Sequence, residues 1–292
     1  MRRVLTVLAC VCATGLLVAA NAVGATSPPR VSPGSTYLAI GDSVSFGYQE
    51  PQVQPAPNYG KASTFLGFPE HAARALRLKV WNAACPGETS SSFLKPTAQS
   101  FGCENFPGNP SIGYRNFYPL HVKYSGSQMS YAISFLRKHT KTRLVSFMIG
   151  ANDFFVCQAT TSDACASQSE RNAVAATLRK NVRTILSSIR NKAKYRGQIV
   201  LMRYFSLDYS SPAISSQSQQ LNSVLIAAAK PYRVLVADGY GQFKSASAKS
   251  GGSPCRAGLL TQLNGSGSSC GVHPSFSGSG MLALALSRAI RR

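Results

Sequence analysis

Residues 37–47 read Tyr37-Leu38-Ala39-Ile40-Gly41-Asp42-Ser43-Val44-Ser45-Phe46-Gly47. The run is an apolar tetrapeptide, a glycine turn carrying a serine, and a short segment closed by a second glycine. A strand apolar on both faces belongs in a sheet covered on both sides, and such sheets are parallel. Comparable runs at 80–83, 144–149, 199–203 and 234–237 alternate with helix-period stripes. Val174, Leu178, Val182, Ile185 and Ile189 form one stripe, and Leu221, Val224, Leu225 and Ala228 another. Met129, Ile133 and Leu136 form a third, and 281–290 closes the chain with a fourth. Strand–helix alternation predicts one three-layer α/β domain with a central, mostly parallel five-stranded sheet. Ligands of such sheets bind beyond the carboxyl ends of the strands, so the residues just after each strand carry the chemical reading.

The domain is expected over 36–292. Residues 1–25 read as a signal peptide, with Arg2 and Arg3 before an apolar core and small residues at Val23-Gly24-Ala25 as the cleavage site. Ala20-Asn21-Ala22 is the second choice. Residues 26–35, with three prolines, are expected to form a short flexible tail outside the fold. Secretion is the localisation this predicts. Six cysteines then remain, an even number that suits disulfides in an exported chain. They fall as three local couples, Cys85–Cys103, Cys157–Cys165 and Cys255–Cys270. No C-x-x-C pair or histidine cluster supports zinc, and no metal or organic cofactor is expected.

The formal charge is +21 over the whole chain. Without Arg2 and Arg3 there are 29 basic against 10 acidic residues, or +19. Such a field attracts anionic cell-surface material. Arg171, Arg179, Lys180, Arg183 and Arg190 fall on one predicted helix, which reads as a solvated face. No basic stripe interleaved with aromatics points to nucleic acid, and the lone Trp81, in a predicted strand, leaves no sugar-binding platform. A monomer is expected.

Three further blocks follow predicted strands or close the chain: Cys85-Pro86-Gly87-Glu88-Thr89, Gly150-Ala151-Asn152-Asp153 and Cys270-Gly271-Val272-His273-Pro274. With Gly41-Asp42-Ser43 they resemble, in order and spacing, the four blocks of the SGNH/GDSL hydrolases, of the secreted bacterial esterase and lipase type. Asn222 also resembles a recurring family position. The resemblance implies a flavodoxin-like fold and hydrolysis of carboxylic esters, either lipid or simple acyl esters or, as the main competitor, acetyl groups on polysaccharide. It implies Ser43 as nucleophile and His273 as general base, with the Ser43 N–H, the Gly87 N–H and the Asn152 amide as an oxyanion hole. The chemistry agrees: a serine hydroxyl needs a base within hydrogen-bond reach, and a developing oxyanion needs fixed donors.

At one place the chain departs from the family pattern. The aspartate normally three residues before the histidine is Cys270 here. Either a main-chain carbonyl near Cys270 accepts the His273 N–H in a Ser–His dyad, or Asp238 takes the acid's place. The carbonyl is preferred, because the Cys255–Cys270 bridge would stiffen that loop. A non-catalytic, basic envelope-binding protein of the same fold is the alternative that the missing aspartate supports. His71, His121 and His139 are read as structural, and Asp42 and Asp153 as loop hydrogen-bonding groups. Tyr48, Tyr59, Phe154 and Phe155 are candidates for an acyl pocket.

Overall fold

The computed structural model describes residues 28–265 and 269–292. The predicted signal peptide and the first two residues of the predicted tail lie outside that range. Five strands form the sheet: β1 (Thr36–Gly41), β2 (Lys79–Asn82), β3 (Thr142–Met148), β4 (Gln198–Met202) and β5 (Leu235–Ala237). A separate ribbon pairs β6 (Leu260–Gln262) with β7 (Cys270–Pro274). The helices in chain order are α1 (Ser43–Phe46), α2 (Phe68–Leu76), α3 (Ser90–Leu94), α4 (Tyr114–Phe117) and α5 (Gln128–Lys138). They continue with α6 (Ala151–Thr160), α7 (Gln168–Ser187), α8 (Pro212–Ala229), α9 (Gly239–Ser247) and α10 (Phe276–Ala289).

Sheet order is β2-β1-β3-β4-β5, every pairing parallel, with Ile40 opposite Phe147 and Gly41 opposite Met148. α2, α9 and α10 pack on one face, and α3, α5, α7 and α8 on the other. This is the three-layer α/β arrangement with the flavodoxin-like strand order. The predicted helix stripes point inward: Leu178, Val182, Ile185 and Ile189 are fully buried, as are Leu225 and Ala228, while Val174 and Val224 are half-buried. Strand order reverses between β1 and β3, so their outgoing loops diverge and leave a crevice there.

All three predicted disulfides are formed. The N-terminal tail departs from expectation. Val31 is buried and its N–H donates to Arg291 O at 2.9 Å, while the Gln198 amide donates to Pro29 O and Arg291 O at 2.9 and 2.8 Å. The proline-rich composition suggested a solvated chain, but its polar main chain finds partners on β4 and the C-terminus. The ribbon and the short helices α3 and α4 carry too few residues to show a period, and sequence reasoning missed them.

Burial raises the pKa of several carboxyls, Glu88 and Glu104 among them, and three others set a window near neutrality. Burial, against hydrogen bonds that act the other way, takes Glu70 to about 7 and Asp42 and Asp153 to about 6. A proton held more tightly in the folded state stabilises the fold below the unfolded values near 4, and that contribution is lost as pH rises through 6 to 7. Each is worth on the order of 2–3 kcal/mol. The urea midpoint should therefore fall between pH 5 and pH 8, with an unchanged slope. A midpoint that rises over this range would contradict the burial of these acids.

Candidate active site

β1 ends at Gly41, whose φ of +139° is closed to side-chain-bearing residues and whose added Cβ would sit 2.1 Å from Met148 O. The chain therefore turns tightly against β3. Asp42 caps α1, accepting from Val44 N at 3.0 Å. This places Ser43 at the head of α1, on the floor of a cleft of about 770 Å³. Asp42 also accepts a hydrogen bond from Tyr204 Oη. Tyr204 is pinned in turn by Asn222, whose amide exchanges two 2.8 Å bonds with its main chain. Asn222, noted only for its resemblance, thus braces the turn that carries Ser43.

His273 lies on β7 and reaches Ser43 from across the cleft, Nε2 to Oγ 2.9 Å. Its other nitrogen meets neither group expected of it. Nδ1 is 2.7 Å from Glu50 Oε1. Asp238 instead caps α9 and pairs with Arg203 at 2.5 Å, and the Cys270 carbonyl does not meet the ring. The expected Ser–His dyad is therefore corrected to a three-residue chain ending in a carboxylate.

Glu50 stands seven residues after Ser43 in the loop that follows α1. Its Oε1 also accepts from Val272 N at 2.8 Å and His273 N at 3.3 Å, and its Oε2 accepts from Thr261 Oγ1 at 2.5 Å. Burial alone would raise the Glu50 pKa, but the hydrogen bond and charge of His273, with the Thr261 hydroxyl, outweigh it and hold the carboxyl down at about 2. The space it occupies is the one a side chain at Gly271 would need: a Cβ there would lie 2.0 Å from Glu50 Oε1. Cys270-Gly271 thus replaces an acid on the histidine's own segment by a socket for an acid from another.

The donors opposite Ser43 come from two more loops. Gly87 has a φ of +79°, and a Cβ on it would strike Phe101 O at 2.4 Å. Asn152, in the first turn of α6, donates one Nδ2 hydrogen to Glu88 O at 2.9 Å. Gln128 joins these loops to the serine turn: Oε1 accepts from Gly41 N at 2.6 Å, while Nε2 donates to Gly41 O at 3.0 Å and to Glu88 Oε2 at 2.8 Å. Glu88 is fully buried, and burial beside Glu104 pushes its pKa well up. Gly87 and Asn152 line the cleft with Ser43 and His273.

Of the aromatic candidates, Tyr48, Phe154 and Phe155 face the cleft, and Tyr59 packs at a tilt against Tyr48, ring centres 5.8 Å apart. Phe101, Tyr114, Phe205, Leu207 and Leu221 complete apolar walls that sequence alone did not reveal. The other histidines lie elsewhere: His121 Nε2 bonds Phe46 O at 3.0 Å, His71 packs on Phe276 and His139 on Phe135. Among the described residues, Cys85 and Cys103 with Glu88, and Cys157 and Cys165 with Glu170, bring donor atoms close enough for a metal. Their sulfurs are joined as disulfides and offer no thiolate.

The GDSL-like Lipase/Acylhydrolase family model matches residues 39–279, and the chain belongs to that family. It is a carboxylic ester hydrolase of the GDSL/SGNH type, which removes the non-catalytic alternative. No curated protein matches the chain. Among solved structures it is similar to Axe2, an acetylxylan esterase from Geobacillus stearothermophilus, at 17% identity and a TM-score of 0.53, over 89% of this chain and 96% of that one. It is also similar to the lipase Lip_vut3 from a goat rumen metagenome, at 16% identity and a TM-score of 0.54, over 87% and 97%. At these identities the likeness is one of fold.

Glu50→Gln should keep the fold and lower kcat on a soluble ester by about 10²–10⁴, the range for a neutralised orienting acid. Gly271→Ala, at a backbone conformation open to alanine, should displace the carboxylate and cost at least ~10-fold. Added to Glu50→Ala it should cost little more, since both remove the same contact. Additive losses would show that Gly271 serves something other than Glu50.

Proposed function

We propose that this chain is an exported esterase that forms an acyl-enzyme on Ser43 and prefers acyl chains longer than acetyl. The observation that carries the reading is the continuous path from Ser43 Oγ through His273 to Glu50, at 2.9 and 2.7 Å. His273 Nε2 takes the Ser43 proton as Oγ attacks the ester carbon, then gives it to the leaving alkoxide. Glu50 receives the Nδ1 hydrogen and so fixes the tautomer that leaves Nε2 free to accept; it also stabilises the imidazolium that forms. The oxyanion is received by the N–H groups of Ser43 and Gly87 and by the Asn152 amide hydrogen not used on Glu88. Water then enters by the same base and releases the acid.

The acyl preference rests on the cleft, which is far larger than an acetyl group and walled by Phe101, Phe154, Phe155, Phe205 and Leu221. Each buried methylene gains about 0.8 kcal/mol, so chains reaching these walls bind better. Export is supported by the pattern of residues 1–25 and by three disulfides, which persist in oxidising compartments. No helix among the described residues is long and apolar enough to cross a membrane.

A fluorophosphonate probe should label one serine, and Ser43→Ala should abolish the label. Asn152→Ala should lower kcat about 10²–10³-fold. On p-nitrophenyl esters from acetyl to palmitoyl, kcat/KM should rise beyond acetyl. Best turnover on p-nitrophenyl acetate or acetylated xylan would sink the acyl-chain reading while leaving the nucleophile in place.

A further inference from the structure

The charges of this chain are sorted between the two ends of its sheet. All five strands run the same way, so the helices that return between them finish at the strands' amino ends. Six segments meet there: residues 28–35, 74–79, 137–143, 190–197, 230–234 and 288–292. They carry seventeen of the 29 arginines and lysines of the described residues and none of the ten acidic ones. The acids lie in the connections at the other end, from Asp42 after β1 to Asp238 after β5.

The six segments form one continuous face. Gly34 N donates to Arg77 O at 2.7 Å, and Val31 N to Arg291 O at 2.9 Å. Gln198 ties Pro29 and Arg291 to β4. Arg137 donates to Lys192 O at 2.9 Å, and Arg190 to Tyr232 O at 3.0 Å and Arg233 O at 3.1 Å. Fifteen of the seventeen cations are exposed; Arg143 and Arg190 are half-buried. None has a side-chain carboxylate partner among the described residues, whose three ion pairs all sit at the other end. Cations in the last turn of a helix complement its dipole, which accounts for Arg74, Lys138 and Arg288. Arg190, Lys192 and Lys230 also sit in last turns, but the dipole does not account for Lys141, Arg143, Lys194, Arg196, Arg233 or the cations at 291–292.

The predicted helix with Arg171, Arg179, Lys180, Arg183 and Arg190 carries the smaller share of the charge, because the sequence spreads the polar face over six connections. The face holds eleven arginines against six lysines, and planar guanidinium groups suit phosphate oxygens. It has no exposed large apolar side chain to enter a bilayer; those residues, such as Leu207, Ile214 and Val272, stand at the cleft instead.

We propose that this basic pole is a docking surface for a polymer bearing repeated phosphate groups at a cell surface. The enzyme is held by its back with the cleft facing outward, about 20 Å away along the seven residues of β3. The proposal is independent of the esterase reading, because Ser43→Ala should bind as wild type does.

The test measures binding of the full chain to long-chain inorganic polyphosphate across a salt series. Lys138→Gln, Lys141→Gln, Lys192→Gln and Lys194→Gln together should weaken binding at least ~10-fold and flatten the salt dependence by about three phosphate contacts. Lys61→Gln, Lys123→Gln, Lys244→Gln and Lys249→Gln together remove the same charge elsewhere and should change it less than about 2-fold. Ester hydrolysis should be unchanged at saturating polyphosphate. Equal weakening by both sets, absence of binding, or inhibition of hydrolysis would overturn the two-ended arrangement. Tighter binding to phosphatidylglycerol vesicles than to polyphosphate would replace the polymer by a membrane.

Discussion

The site depends on a carboxylate that crosses from one loop into another. Glu50 leaves the segment behind the serine and enters the notch at Gly271, where it meets two main-chain N–H groups, an imidazole nitrogen and a hydroxyl. Four donors on one carboxylate explain why it stays ionised although largely buried. The same bonds lock the β6–β7 ribbon to the loop after α1, and so set the position of His273 relative to Ser43. Orientation of the base and attachment of the ribbon are one interaction, backed by the Val53–Leu263 bridge, the buried Leu260 and the Cys255–Cys270 clamp.

Behind this pair, the loops are fixed by polar groups buried away from water. Gln128 satisfies both main-chain groups of Gly41 and one oxygen of Glu88, and Asn222 does the same for Tyr204, which holds Asp42. A buried polar group left without a partner costs about 1–3 kcal/mol, so such networks tolerate few alternative arrangements. This gives the geometric rigidity that an oxyanion site requires, since donors must already point where charge will develop.

What was legible in the sequence follows from this division. Strands and long helices announce themselves by period, and Ser43, Gly87, Asn152 and His273 follow strands or close the chain in short blocks recognisable together by their order and spacing. Glu50 has no such mark. It lies in an irregular loop among glutamines and prolines, and its meaning arises only in the fold, where a Cβ on residue 271 would lie 2.0 Å from its Oε1. The one hint available was negative: Cys270 stands where an acid belongs, and only ten carboxylates exist to replace it. Sequence position pointed instead to a carbonyl near Cys270 or to Asp238 at the end of the fifth predicted strand, and it stands in poorly for contact across a cleft.

The scarcity of acids and the polarity of the molecule have one origin. Asp42, Glu50, Glu70, Glu88, Glu104 and Asp153 are all buried or half-buried around the loops that build the site. They are there because those loops follow the carboxyl ends of the strands, where irregular chain leaves N–H and hydroxyl donors that a carboxylate satisfies well. Helix C-termini gather at the opposite end and offer carbonyls, which arginines and lysines satisfy. Local hydrogen-bonding demands of opposite sign at the two ends of one parallel sheet thus begin the charge separation. Cations such as Lys141, Lys194 and Arg233, beyond the helix ends, carry it further than the fold alone would.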